Sequence, residues 1–177
     1  ERHVVGTLYK NVNREAAILE ALTMVGPKMA QLIQTSMSFT SDKKIGVYCW
    51  RGGKRSSSFA WLLELYGFQV FRVEGGYKSF RQWVLNKHAE SYKTIVLGGL
   101  TGSGKTILLH ALQDLGEQII DLEKIAHHKG SAFGSLLQKP QPCNAQFENI
   151  LSMHLRNIQK QQRMWVEDES RMIGKCC

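Results

Sequence analysis

The 177 residues carry 23 Lys+Arg against 15 Asp+Glu, a formal charge of +8, and 43% of them are hydrophobic. That apolar share can build a core and argues against disorder. The length allows one domain or two small ones, and no apolar run approaches the ~18 residues of a membrane span, which excludes an integral membrane protein.

The positive balance favours a polyanionic partner without choosing between nucleic acid, a phosphorylated small molecule and an anionic surface. The opening Glu1-Arg2-His3 has neither the basic start nor the apolar stretch of a signal peptide. Four cysteines lack the C-x2-C spacing of a zinc site and are too few for a disulfide scaffold, so a reducing cytoplasm is the expected compartment.

In chain order, Asn13 is positioned to cap a helix running to about Met24, with Ala17, Ile18 and Ala21 on one face. Gly26-Pro27 should break it before a second helix over 28–35. A short apolar strand over 45–48 ends at Cys49. A helix over 55–66 carries Phe59, Leu62, Leu63 and Tyr66 at helical spacing, with Gly67 as its stop. A strand at 69–73, a Gly75-Gly76 turn and a helix at 77–87 complete one βαβ-like unit. The polar stretch 87–91 is the best seam, dividing the chain into segments 1–90 and 91–177.

The second segment repeats the logic. A strand at 93–97 leads into a glycine-rich turn at 98–104 and a helix at 105–115 stopped by Gly116. A strand at 118–120 ends at Asp121, 130–142 is loop, 145–161 is a long amphipathic helix, and a strand at 164–166 ends in Glu167-Asp168-Glu169. Strands alternating with helices imply parallel sheets, whose ligands sit beyond the carboxyl ends of the strands.

Gly99-Leu100-Thr101-Gly102-Ser103-Gly104-Lys105-Thr106 matches G-x-x-x-x-G-K-[ST] at every fixed position, with a strand before it and a helix after it. In such a loop, glycines let backbone N–H groups converge on a phosphate. Lys105 reaches the terminal phosphates and Thr106 can ligate Mg2+. Asp168 leads the acids that could position that ion, with Glu167 and Glu169 as alternatives. Asp121 could orient Mg2+ or substrate, or simply cap the helical segment that follows.

The second chemical centre is Cys49-Trp50-Arg51-Gly52-Gly53-Lys54-Arg55-Ser56. Loop amides, a helix N-terminus and three cations should lower the thiol pKa and form an anion-sized nest around the sulfur. That suits a thiolate that attacks or carries an anionic or chalcogen group. Trp50 is either a stacking platform for a base or a loop plug. Gly75-Gly76 should let the backbone pass close to the Cys loop. His127, His128 and His154 lack partners at metal-ligand spacing, so no dedicated metal site is expected. Cys143 is an incidental thiol, and Cys176-Cys177 has no assigned role.

Residues 45–81 resemble the C-terminal half of a rhodanese domain in the order of strand, Cys loop, helix, strand and Gly-Gly turn. Followed directly by a phosphate-binding loop, this resembles the tRNA 2-selenouridine synthase family. The words Tyr48-Cys49-Trp50-Arg51-Gly52-Gly53, Glu74-Gly75-Gly76-Tyr77-Lys78, Gly99–Thr106, His128–Gly134, Gln146-Phe147-Glu148-Asn149 and Trp165–Arg171 carry the likeness along nearly the whole chain. The resemblance implies an α/β fold: a partial rhodanese-like parallel sheet followed by a P-loop NTPase-like parallel sheet, the family's front and rear parts lying outside 1–177.

It further implies exchange of sulfur for selenium at the 2-position of wobble 2-thiouridine. Selenophosphate would be the donor and an S-geranylated intermediate would come from geranyl diphosphate. Cys49 would handle the chalcogen, and Arg51, Gly52, Gly53, Lys54 and Arg55 would form the anion or selenophosphate loop. Gly99, Gly102, Ser103, Gly104, Lys105 and Thr106 would hold a phosphate. tRNA would be the partner, a selenophosphate-producing enzyme a second one, and no membrane is expected.

The Cys-x5-Arg-Ser spacing is one residue longer than the rhodanese Cys-x4-Arg-Ser and equals the loop of cysteine-dependent phosphatases, although no general acid is evident. The competing readings are a P-loop kinase or NTPase with a rhodanese-like regulatory module and a non-enzymatic tRNA-binding module. The nucleotide or prenyl diphosphate held by the loop at Gly99 is not decided by sequence.

Overall fold

Local capping chemistry sets where the first helices begin and end. In the computed structural model, which describes residues 2–131 and 133–176, α1 spans Arg2–Asn11. The Asn13 side chain then accepts from the Ala16 amide at 2.8 Å and opens α2, Arg14–Val25. The expected break at Gly26-Pro27 is only a 3-10 turn, Gly26–Lys28, before α3, Met29–Met37. Proline is tolerated there because its missing N–H would lack a partner in a first turn anyway.

The helical run Arg14–Met37 is therefore 24 residues long, and by length and composition alone it could cross a membrane. This corrects the expectation that no such run exists. Core helices and signal sequences meet the same criterion, so the run does not place the chain in a membrane. Of the expected face of α2, only Ala17 is buried, whereas Ile18 is exposed.

Contacts divide the chain into two compact units, Glu1–Phe80 and Arg81–Cys177, and the division falls inside α5, Gly76–His88. In the first unit, β1 (Lys44–Val47) pairs in parallel with β2 (Gln69–Arg72), Lys44 opposite Gln69 and Val47 opposite Arg72. Parallel neighbours require a crossover, which α4 (Lys54–Leu65) supplies. The α4 end is a Schellman motif: Phe68 N donates to Leu63 O, Gly67 N to Glu64 O, and Gly67 takes φ +95°. Val47, Leu63 and Phe68 form the buried cluster, with Ile33, Ile45, Phe59 and Val70 against it.

In the second unit, β3 (Lys93–Leu97), β4 (Gln118–Ile120) and β5 (Arg163–Glu167) form a parallel sheet in the order β3-β5-β4. α6 (Lys105–Asp114) follows β3 and α7 (Leu122–Ala126) follows β4. The core gathers Ile120, Ile125, Ala126, Phe147, Leu155, Met164, Ile173 and Cys176.

α8 spans Asn144–Leu155, shorter than the periodicity predicts. Tertiary capture ends it: Gln118 Oε1 accepts from Gln159 N at 2.6 Å, and Gln118 Nε2 donates to Gln159 O and Arg163 O. Those bonds hold the chain in turns as it enters β5. Both sheets are parallel, as the alternating pattern implies. Ala132 of the 128–134 word and Cys177 lie outside the described residues.

Candidate active site

Cys49 sits two residues beyond β1, and the loop turns into α4 with Gly53 at the N-cap. The thiol is pulled down from its ordinary 9.0 to about 6. The hydroxyl of Ser56, 3.2 Å from Sγ, is the first cause, and the Ser56, Arg51 and Gly53 amides add to it against the opposing effect of burial. Ser56 is 4% exposed and its hydroxyl also lies 3.0 Å from Gly53 O. When Cys49 is a thiolate, that O–H must donate to sulfur, because a thiolate only accepts.

The sequence pointed to loop amides, a helix N-terminus and the side chains of Arg51, Lys54 and Arg55 together; the amides are among the causes, and the three side chains are not. Those side chains are exposed, whereas the leading contributions come from Ser56 and the loop amides. The missed signal was a hydroxyl on the first turn of the helix behind the nucleophile.

Gly75-Gly76 closes the loop from behind. Tyr77 N donates to Cys49 O at 2.9 Å and Lys78 N to Trp50 O at 3.0 Å. Gly76 is buried with φ +65°, and a Cβ there would collide with Cys49 O and Gly52 N. Only glycine permits that approach. Trp50 is 55% exposed and therefore does not plug the loop. Its ring lies 5.5 Å from that of Tyr77, which in turn is 6.4 Å from Tyr48.

The second loop leaves β3 and enters α6. Gly102 and Gly104 take φ +80° and +86°, which side chains disfavour. Lys105 Nζ donates to Gly99 O at 2.8 Å. The loop forms one wall of a cleft of about 760 Å3; Glu123, Lys129, Gly130, Ser131, Asp168, Glu169 and Ser170 complete the lining. Asp168 N donates to Leu97 O, which ties Asp168 to the end of β3.

Glu123, unremarked in the sequence, accepts from Thr106 Oγ1 at 3.1 Å. Its position three residues past the end of β4 was the available signal. Asp121 lies outside the lining: it accepts from the Lys124 amide as the α7 N-cap and pairs with His110 at 2.8 Å.

Glu167, at the end of β5, is 2% exposed. Its Oε1 accepts from Glu123 N at 2.9 Å, while Oε2 has no hydrogen-bond partner. Burial pushes its carboxyl up to about 7, and the carboxylates of Asp121, Glu123 and Glu169 push the same way. Burial likewise raises Glu169.

The hydroxyl and carboxylate oxygens of Thr106, Glu123, Asp168 and Glu169 are hard donors that suit Mg2+. Among the described residues, no three His, Cys, Asp or Glu side chains form a metal cage by themselves.

Of the remaining candidates, three are placed by their own surroundings, while the buried Nδ1 of His128 has no hydrogen-bond partner. His127 Nδ1 donates to Pro140 O at 2.9 Å. Cys143 is exposed at the α8 N-cap, and Cys176 is buried with Sγ donating to Pro142 O.

A rhodanese-like domain model matches residues 9–83, and a model of the tRNA 2-selenouridine synthase AAA domain matches residues 92–177. The chain is 43% identical over 185 residues to the tRNA 2-selenouridine synthase of Sulfurovum sp. (strain NBC37-1), covering 99% of this chain and 49% of that protein. It is 40% identical to the Shewanella frigidimarina enzyme of that name, with coverages of 99% and 48%, and 36% identical to that of Pseudomonas putida, again with 99% and 48%. The chain spans about half the length of these curated relatives. Matched in its two segments by two models in this order, and over nearly all its length by these proteins, the chain belongs to the tRNA 2-selenouridine synthase family.

Proposed function

We propose that the chain carries the chalcogen-handling and phosphate-binding parts of an enzyme that replaces sulfur by selenium at the 2-position of wobble 2-thiouridine in tRNA. Selenophosphate is the donor, and the reaction passes through an S-geranylated intermediate made from geranyl diphosphate. The observation that carries the reading is a thiol with pKa about 6 in an amide-lined loop, on a chain that also bears a complete phosphate-binding loop. Cys49 is the catalytic thiolate, and Arg51, Gly52, Gly53, Lys54 and Arg55 attract the anionic donor.

Gly99, Gly102, Ser103, Gly104, Lys105 and Thr106 hold the diphosphate. The loop at Gly99 has no nucleophile of its own, so its contribution is binding and orientation. Mg2+, when bound, would neutralise phosphate charge there. Thr106 and Asp168 are the residues to hold it, whereas Asp121 acts through α7. The +8 charge suits tRNA, the cytoplasm is the matching compartment, and a selenophosphate-producing enzyme is the matching partner.

In full-length protein, Cys49→Ser should abolish 2-selenouridine while S-geranyl-2-thiouridine still forms, as read by mass spectrometry of wobble nucleosides. Loss of the geranylated nucleoside as well, with folding and tRNA binding intact, would refute this division of labour.

The kinase or NTPase reading draws on the cleft itself, where Thr106 and Asp168 face the space beside Lys105. ATP turnover in the absence of tRNA is its test.

A further inference from the structure

The exposed aromatic residues around Cys49 are not used by either chemical step. Tyr48 is 63% exposed and Trp50 is 55% exposed, and both rings adjoin Tyr77 at interplanar angles of 29° and 39°. Large rings left in water beside a reactive thiol are costly unless something covers them. Two backbone bonds, from Tyr77 and Lys78 to Cys49 and Trp50, tie together the segments that carry the three rings and the thiol. Four cations, Arg51, Lys54, Arg55 and Lys78, are exposed on the same two segments.

We propose that Tyr48, Trp50 and Tyr77 form a stacking ledge that receives an unpaired base of single-stranded RNA beside Cys49, with the surrounding cations holding the flanking phosphates. The inference rests on the tRNA reading above and goes further by naming the surface that takes the base. Exposed aromatic rings bordered by cations are the composition of sites for unpaired nucleic acid, where every base can stack and every linkage carries a charge. A prenyl chain would instead call for an enclosed apolar channel, because it has no charge for the cations to meet. A duplex hides its bases within the stack, which leaves the rings nothing to hold.

The test measures binding of the whole chain to an RNA hairpin with a uridine-containing loop, at fixed salt, by fluorescence anisotropy. The same RNA closed into a full duplex and fluorescent geranyl diphosphate serve as second and third probes. Trp50→Ala and Tyr48→Ala should each weaken hairpin binding about 5- to 150-fold, the range of one lost base stack. Trp50→Phe should retain most of the affinity, and thermal melts should be unchanged because both side chains are exposed. Duplex binding should change little in every variant.

Equal hairpin affinity for wild type and Trp50→Ala would overturn the ledge while leaving the tRNA reading standing. Loss confined to geranyl diphosphate would assign the rings to the prenyl chain and overturn it too. Absence of hairpin binding by the wild-type chain would count against tRNA as the partner, and the ledge would fall with it.

Discussion

In each half of the chain a parallel strand runs out into a glycine-bearing loop and then into a helix: β1 into Cys49–Gly53 and α4, β3 into Gly98–Gly104 and α6. In the first loop the Arg51, Gly53 and Ser56 amides bond to the Cys49 sulfur; in the second, Gly102 and Gly104 at positive φ lead the backbone into the N-terminus of α6, an end that favours anions. Their side chains differ. The first loop holds a thiol against the buried Ser56 hydroxyl, with exposed rings and cations nearby. The second has no nucleophile; it places Lys105 across the loop onto Gly99 O and Thr106 against Glu123, beside Asp168 and Glu169, with the buried Glu167 accepting from the Glu123 amide. On the proposed reading, the helix N-terminus favours negative charge in both, and the side chain beside it decides whether a bound group is attacked or only held.

Lys105→Ala is the sharpest attempt to break that comparison. It removes a charge-assisted contact to phosphate, so affinity for geranyl diphosphate or ATP should fall by about 2–4 kcal/mol, read by calorimetry. Alkylation of Cys49 should keep its rate. Unchanged affinity for both ligands would reject the phosphate-loop assignment. A coupled loss of thiol reactivity would mean that the two loops do not act separately.

Gly76→Ala attacks the first loop through its backbone. The new Cβ would meet Cys49 O and Gly52 N, and alanine would have to hold φ +65°. We expect a stability loss of about 3 kcal/mol or more, together with slower Cys49 alkylation. Denaturant titration and iodoacetamide kinetics read the two effects. Affinity at the Gly99 loop should persist in any fraction that remains folded.

The local signals decided much of this architecture in advance. Gly67 and Gly116 stop their helices through the same pair of backbone bonds, Phe68 N to Leu63 O with Gly67 N to Glu64 O, and Glu117 N to Leu112 O with Gly116 N to Gln113 O. Asn13 and Asp121 cap α2 and α7 through their own side chains. The phosphate loop was legible because its chemistry is continuous along the chain.

What escaped depends on distance. The end of α8 is set by Gln118, 41 residues from its partner Gln159. The Glu123–Thr106 contact spans 17 residues. The membrane-length run Arg14–Met37 escaped because Gly26-Pro27 reads as a break, whereas a single 3-10 turn carries the helix direction through it.

Glu167→Gln sharpens the second loop. The native carboxyl is raised from 4.5 to about 7, so the folded state holds a proton that the unfolded chain has released between those values. Stability therefore falls as pH rises from about 4.5 to 7, and the full cost, about 3 kcal/mol as an upper figure, is present above 7. Glutamine stays neutral and keeps an oxygen for the Glu123 amide. The variant should lose that downward slope, as read by denaturant midpoints across the range. A slope equal to wild type would show that Glu167 does not titrate there.

Ser56→Ala is the mildest test, and it separates the two explanations for the activated thiol. If cations set the low pKa, removing one hydroxyl would leave it near 6. If the Ser56 hydroxyl leads, as its place against Sγ indicates, the alanine variant should titrate at least about one unit higher, the amides alone holding it below the ordinary value of 9.0. The sign follows from hydrogen bonding to the charged form: a donor to S− favours the thiolate, and removing it returns the proton to sulfur at higher pH. The pH midpoint of iodoacetamide alkylation measures this directly. Arg51→Ala and Lys54→Ala, whose side chains point to solvent exposure rather than burial, should move that midpoint less than Ser56→Ala does. A larger shift from either cation than from Ser56 would return the activation to the charges and remove the difference between the two loops on which the comparison rests.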